Sequence, residues 1–310
     1  MKKDFWKSIS KPIVGLAPMD GYTDSAFRQI CKQVNSEILT YTEFVSADGL
    51  KYNSEKLKKQ LAFKEAEKPI LAQIFGKNPE SFVIATKMCE DMGFTGIDLN
   101  MGCPAKKVIK SEHGFALRRK PDLAYELIES VAKATSLPVS VKTRLGHSNA
   151  DDLISFCKGA QNAGADMIAV HARTFKEPYK VPAHWEPLYE LKKEIDIPVL
   201  GNGGLTSVED GMEKLRNLDG FLIGQASIGN PWVFQKKETK LSFQEKLPLI
   251  KDHAKWLVEN KGEHVGCNEI RKHLLRYIKG INEAKSYRIK LATVTSFEET
   301  IKILDCISDI

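Results

Sequence analysis

Short apolar runs recur along the chain, each separated from the next by a longer amphipathic or polar stretch. Eight of them read as strands, at 14–19, 39–44, 70–75, 96–101, 139–144, 167–173, 199–203 and 220–225. The runs are continuous rather than alternating, which is the pattern of parallel strands covered on both faces. Helix signals fill the stretches between them. In "NPESFVIATKMCEDMG" (78–93), Asn78 stands at the cap, Pro79 at the first helical position and Gly93 near the end. Thr206 and Glu209 in "TSVEDGMEKLRNL" have capping-box spacing. "KPDLAYELIESVAKAT" carries apolar residues at 123, 127, 128 and 131, a helical spacing. Repeated αβ units wound right-handedly give a doubly wound sheet or a closed barrel. Eight units ending near residue 225 predict an α/β fold of the (β/α)8 TIM-barrel class.

The pattern changes after about residue 236, where helical periodicity takes over and strand signals fade. Leu274, Leu275, Ile278 and Ile281 mark one helix face, with Lys272, Arg276 and Lys279 on the opposite one. The expected organisation is a barrel over 1–236 and a small C-terminal all-helical domain over 237–310.

Composition narrows this picture. With 310 residues, 42% apolar and 28% charged, the chain can bury a large core and is not a disordered type. No apolar run approaches the roughly 20 residues of a membrane span. The basic start "MKKDFWKSIS" leads into no signal-like apolar segment. The expectation is a cytoplasmic, monomeric protein with no membrane segment. The cysteines, Cys31, Cys89, Cys103, Cys157, Cys267 and Cys306, form no C-x-x-C pair, which argues against zinc and redox-dithiol chemistry, so no metal is expected. The net charge of +6 is concentrated: residues 271–290 hold seven Lys/Arg against the single acid Glu283. A local basic patch points to a polyanionic partner, although single charged helix faces are often only solvated.

In a barrel, reactive groups gather at the C-terminal ends of the strands. Here those ends carry Pro18-Met19, Glu43, Gln73, Asn100 with Cys103, Lys142 with Arg144, His171 with Arg173, Asn202-Gly203-Gly204, and Gly224-Gln225. Glycines at the last two ends let backbone N–H groups approach a phosphate. Gln73 pairs a donor with an acceptor, which suits an imide edge such as a flavin's. Lys142 offers a fixed charge that would stabilise an anionic flavin or an enolate, or would pair with a barrel carboxylate. His171 suits either the site or a structural hydrogen bond, and Glu43 either a base or an ion-pair partner. Cys103, in a Gly-Cys-Pro turn, is at this level a small buried hydrophobe, a metal ligand, a nucleophile or an acid.

The segments "LAPMDGYTDSAFR" (16–28), "YTEFVSADGL" (41–50), "AQIFG" (72–76), "GIDLNMGCPAKKV" (96–108), "VKTRLG" (141–146), "VHART" (170–174), "GNGGL" (201–205) and "IGNPWVF" (228–234) occur in this order. In them the chain resembles the flavin-dependent tRNA-dihydrouridine synthases, and "RKHLLRYIKGI" (271–281) is similar to that family's helical tRNA-binding domain. The resemblance implies an FMN-bearing barrel, NADPH as reductant and reduction of a tRNA uridine at C5–C6. It implies Cys103 as the acid that protonates C5 after hydride reaches C6. It puts Gln73, Lys142, His171, Asn202, Gly203, Gly204, Gly224 and Gln225 around FMN, with Pro18 and Met19 against its ring. Asn100, Lys142, Arg144 and Arg173 would lie near the uracil. Lys106 and Lys107, with Arg271, Lys272, Arg276, Lys279 and Arg288, are the candidate RNA contacts. Many relatives have Gly-Arg-Gly where this chain has Gly224-Gln225-Ala226, which shifts phosphate binding toward neutral amides. The segment after Gly280 lacks the family's Pro-Gly turn.

Overall fold

Largely continuous apolar runs close into a sheet covered on both sides. The computed structural model of the chain describes residues 2–52, 54–237, 239–281 and 283–307; the other positions of the expected ranges 1–236 and 237–310 lie outside the described residues. The strands are β1 (Ile13–Leu16), β2 (Thr40–Tyr41), β3 (Val45–Ser46), β4 (Ile70–Phe75), β5 (Gly96–Asn100), β6 (Val139–Arg144), β7 (Met167–His171), β8 (Val199–Asn202) and β9 (Gly220–Ile223). All pair in parallel, in the order β1-β9-β8-β7-β6-β5-β4-β2, with β3 also on β4. The two ends of this path meet: Leu16 N donates to Leu39 O at 2.9 Å and Leu39 N to Val14 O at 2.8 Å. The sheet is therefore a closed barrel of eight staves, the TIM-barrel class expected.

Two sequence readings are adjusted. Within the run 39–44 only Thr40–Tyr41 forms a strand, β2, and β3 follows just beyond it; between them the Glu43 carboxylate accepts from the Gly21 amide. The helix cap near 206 sits one residue later: Ser207 Oγ accepts from Asp210 N, and Thr206 donates back to the Asp210 carboxylate. Asn78 caps the Pro79–Asp91 helix as read, accepting from Ser81 N at 3.2 Å.

The two-residue period of the strands sorts the core into two layers. Ile168 and Val170 of β7 pack outward with the helices, as do Val139 and Val141 of β6 and Ile97 and Leu99 of β5. Met167 and Ala169 of β7, Leu71 of β4, Leu200 of β8 and Leu222 of β9 fill the barrel interior, with Trp6 of the Lys2–Ser8 helix in the same cluster. This parity fixes which later residues point inward.

Beyond the barrel, the described residues form four helices, Phe243–Lys261, Glu263–Tyr277, Ala284–Leu291 and Phe297–Asp305. Ser242 and Glu245 form a capping box at the first of them. Their shared core includes Ile250, Leu257, Ile270, Leu274, Ile278 and Leu304, together with Ala26 from the barrel's Ser25–Val34 helix. Phe27 of that barrel helix packs on the buried rings of His253 and His273, at centroid distances of 5.5 and 4.7 Å. Among the described residues no helix is long and apolar enough to cross a membrane.

Candidate active site

Parity along the strands brings Gln73 of β4, Asp98 and Asn100 of β5, Ser140, Lys142 and Arg144 of β6, His171 of β7 and Asn202 of β8 to the inner side of the barrel. They meet under a cleft of about 760 Å³ at the C-terminal strand ends, within the roughly 300–1,000 Å³ range of sites that engulf small ligands. The cleft is lined by every residue assigned above to the cofactor: Pro18, Met19, Gln73, Lys142, His171, Asn202, Gly203, Gly204, Gly224 and Gln225. Asn100, Cys103, Arg144, Arg173 and Arg276 line it too. Lys106, Lys107, Arg271, Lys272, Lys279 and Arg288 do not.

The floor is one hydrogen-bonded chain. Asp98 accepts from Ser140 Oγ at 2.5 Å and from Gln73 Nε2 at 2.7 Å. Gln73 Oε1 accepts from Asn100 Nδ2 at 3.0 Å, and Asn100 Oδ1 accepts from the amides of Gly102 and Cys103 at 3.2 and 3.0 Å. The orientation of the Gln73 amide follows from its acceptor partner Asp98. The same chain mounts the cysteine turn on the barrel interior. Cys103 O also accepts from Phe115 N at 3.2 Å, so the turn is held from both sides. Asp98 and Ser140 were passed over in the sequence because each stands inside an apolar run; sharing strand parity with Asn100 and Lys142 was the available signal.

Burial sets the protonation states. Desolvation raises the Cys103 thiol above its ordinary value, and the nearby Asp20 adds to this, while the Ala105 amide, Arg144 and Lys142 oppose it. The thiol is protonated at neutral pH. Desolvation, and then repulsion from Arg144, lowers Lys142 to about 8, so it still carries its proton at pH 7. Its Nζ donates to Asn202 Oδ1 at 3.1 Å, a neutral partner rather than a barrel carboxylate, and Asn202 Nδ2 donates to Leu222 O. His171 is held well below its ordinary value by burial and by Arg144, Lys142 and Arg173. Arg173 Nη1 faces His171 Nε2 at 3.4 Å. An arginine can only donate, so Nε2 is the acceptor and the neutral ring carries its proton on Nδ1. Nδ1 is a buried donor with no partner among the described residues. Glu43, pushed up to about 7 by burial and Asp24, does not line the cleft; it holds the loop bearing Met19, Asp20 and Tyr22.

At the β8 and β9 ends the backbone itself is the binding surface. Gly203 and Gly204 have φ of +117° and +76°, and a side chain on Gly203 would meet His171 Nε2 at 3.0 Å. The amides of Gly203, Gly204, Gln225 and Ala226 donate to no acceptor among the described residues. Such converging N–H groups suit an anion.

The basic residues beyond the barrel part company. Arg271 is spent inside the helical region, on the carbonyls of Thr293 and Val294. Lys272 and Arg276, expected on a free face, reach back to the barrel: Lys272 donates to Gly21 O and lies 4.9 Å from the Tyr22 ring, and Arg276 Nη1 donates to Gln225 O at 3.4 Å. Lys279 and Arg288 are exposed, as are Lys106, Lys107 and Lys110 of the short Lys106–Lys110 helix.

The family described as Dihydrouridine synthase (Dus) matches residues 15–309. A probable tRNA-dihydrouridine synthase of Staphylococcus epidermidis is 34% identical over 315 aligned residues, covering 98% of this chain and 96% of that protein. One from Aquifex aeolicus is 31% identical, with 96% of each chain covered. Among solved structures, morphinone reductase matches 73% of this chain and 85% of its own at a TM-score of 0.52 and 11% identity. A variant of NCR from Zymomonas mobilis matches 71% and 83% at a TM-score of 0.50 and 14% identity. These two share the barrel fold.

Proposed function

The chain belongs to the dihydrouridine synthase family, and from that premise we propose that it reduces the C5–C6 double bond of a specific uridine in tRNA, with FMN bound in the cleft and NADPH as reductant. The observation that carries the reading is the pairing of Cys103, a protonated thiol on a braced turn, with Lys142 in the same cleft. The cleft fits FMN: free amides and glycines for a phosphate, the His171 Nδ1–H for a polar chain, and the spare Gln73 and Lys142 donors for the ring. When bound, FMN would supply hydride to uracil C6.

Hydride addition at C6 leaves an enolate spread over C5 and the C4 oxygen. The thiol of Cys103 gives its proton to C5 and is reprotonated from solvent. A thiol above its ordinary pKa is fully loaded for this transfer at neutral pH, and rigid placement matters more than acidity. Lys142 and Arg144 supply fixed positive charge while the enolate forms. Arg144 is locked by Gly102 O and Thr174 O, so its charge costs no reorganisation. Asn100 orders the cysteine turn and is in reach of the base, with Arg173 in the same cleft.

A uridine inside folded RNA has to be extruded to reach a barrel mouth, which requires a grip on the backbone. Residues 237–310 serve as the tRNA-binding domain. Lys279 and Arg288 on the helices and Lys106 and Lys107 beside the cysteine turn make that grip, with Lys272 at the seam. The test is a position-by-position map of dihydrouridine in tRNA from cells with and without this chain. At least one site should vanish on deletion and return on re-expression; an unchanged map would refute the assignment.

A further inference from the structure

We propose that Arg276, carried by the Glu263–Tyr277 helix, binds the phosphate of the flavin nucleotide, so that the cofactor site is completed across the seam between barrel and helices. This rests on the reading of the cleft as an FMN site.

Four amides at the β8 and β9 ends, those of Gly203, Gly204, Gln225 and Ala226, are free to receive a phosphate. Amides orient an anion, but a buried phosphate also needs formal charge against it. The turn after β9 offers none of its own, because Gln225 and Ala226 are neutral. The barrel's cations are mostly committed. Lys142 is tied to Asn202, and Arg144 spends Nε, Nη1 and Nη2 on Gly102 O, Thr174 O and Tyr179 Oη. Arg173 stands on the far flank, its Nη2 3.7 Å from where a Gly204 side chain would begin. The near flank, beside Gln225, is covered by Arg276 alone among the cations lining the cleft.

Arg276 is set there by backbone packing. Gly229, at φ +64°, lies where a Cβ would be 2.5 Å from Arg276 Cβ and 2.7 Å from His273 O, so the helix rides directly on the loop after β9. One turn earlier, Lys272 pins the same helix to Gly21 O, in the loop after the neighbouring strand β1. The guanidinium of Arg276 is nevertheless underused. Among the described residues its one hydrogen bond, to Gln225 O, is long at 3.4 Å, and no carboxylate pairs with it. Its remaining donors suit a phosphate held by the adjacent amides.

The test compares FMN with riboflavin, which lacks the phosphate, by flavin-fluorescence titration of the full-length apoprotein. Wild type should favour FMN. Arg276→Ala should weaken FMN by about 10- to 100-fold, the range for loss of a charge-assisted bond, and leave riboflavin affinity unchanged. Arg276→Lys should recover part of the loss. An FMN-to-riboflavin preference unchanged in Arg276→Ala overturns the proposal while leaving the flavin reading standing. Wild type binding neither flavin would overturn the flavin reading itself. Should Arg276→Ala lose riboflavin as well, Arg276→Gln, which keeps the stem packed on Gly229, carries the same comparison and the same criterion.

Discussion

The floor of the cleft and its rim hold their polar groups in opposite ways. On the floor, Gln73, Asp98, Asn100 and Ser140 come from three adjacent strands and satisfy one another in near-complete burial. At the rim, Lys261 pairs with Asp24 across 237 residues of sequence, Lys272 with Gly21 across 251, and Arg276 with Gln225 across 51. The floor is sparse in charge and its ionisable groups are displaced by desolvation. The rim is charged, half in water, and joins two bodies of the chain. On the proposed function, chemistry that needs a fixed protonation state falls to the first environment. A grip on a polyanion, which has to be renewed at each turnover, falls on that reading to the second.

The comparison can be broken first at Cys103. Cys103→Ala should retain FMN and tRNA binding and lose turnover on tRNA by about 100-fold or more, the scale of a positioned acid. Near wild-type dihydrouridine formation in that variant would move the proton donor elsewhere. On the floor beneath it, Asp98→Ala strands the Gln73 and Ser140 donors in a buried site. A loss of about 2–4 kcal/mol in urea unfolding is expected; an unchanged midpoint would mean the chain of hydrogen bonds does not couple. At the rim, replacing Lys106, Lys107 and Lys279 together by Ala should weaken tRNA about evenly across sequences. The salt slope of log K should flatten by about 2–3, with the rate in the bound complex preserved. An unchanged slope would place the RNA grip on another surface.

The smallest effect concerns the seam. Burial holds His253 down to about 4 against an ordinary 6.5, and His273 shifts in the same direction. As pH falls from 6.5 to 4 the unfolded chain takes up a proton that the folded His253 refuses, so this contribution to stability is present above 6.5 and lost on acidification. Glu43, raised to about 7, and Asp98, raised to about 6, act with the opposite sign as pH falls. The difference between wild type and His253→Phe isolates the histidine. The variant should lose less stability between pH 7 and 4 in thermal melts; parallel curves would show that His253 is not the group refusing the proton.

Much of the floor was legible in the sequence because strand periodicity is a local rule. A run ending in Asn100, Lys142 or His171 fixes an inward direction once the barrel class is known, and the strand ends read at 70–75 and 139–144 coincide with β4 and β6. Asp98 and Ser140 obey the same rule and were hidden only by apolar neighbours. The rim was not legible. Helical periodicity places Lys272 and Arg276 opposite Leu274 and Ile278, but it cannot say that the opposite face leans on a barrel loop. That contact depends on Gly229 letting the helix approach, a fact of tertiary packing between segments far apart in the chain. Arg271 shows the same gap: by sequence it is one of seven cations, and in the fold it caps carbonyls at 293–294.

The central claim is that a barrel-mouth reductase is addressed to RNA by its rim. Purified full-length chain, loaded with FMN and supplied with NADPH, should be given unmodified tRNA transcript in one reaction and free uridine in another, with dihydrouridine counted by mass spectrometry. Dihydrouridine should form at a defined tRNA position and not from the free nucleoside. Reduction of free uridine at a rate matching that of tRNA, or none of the transcript, would contradict the account.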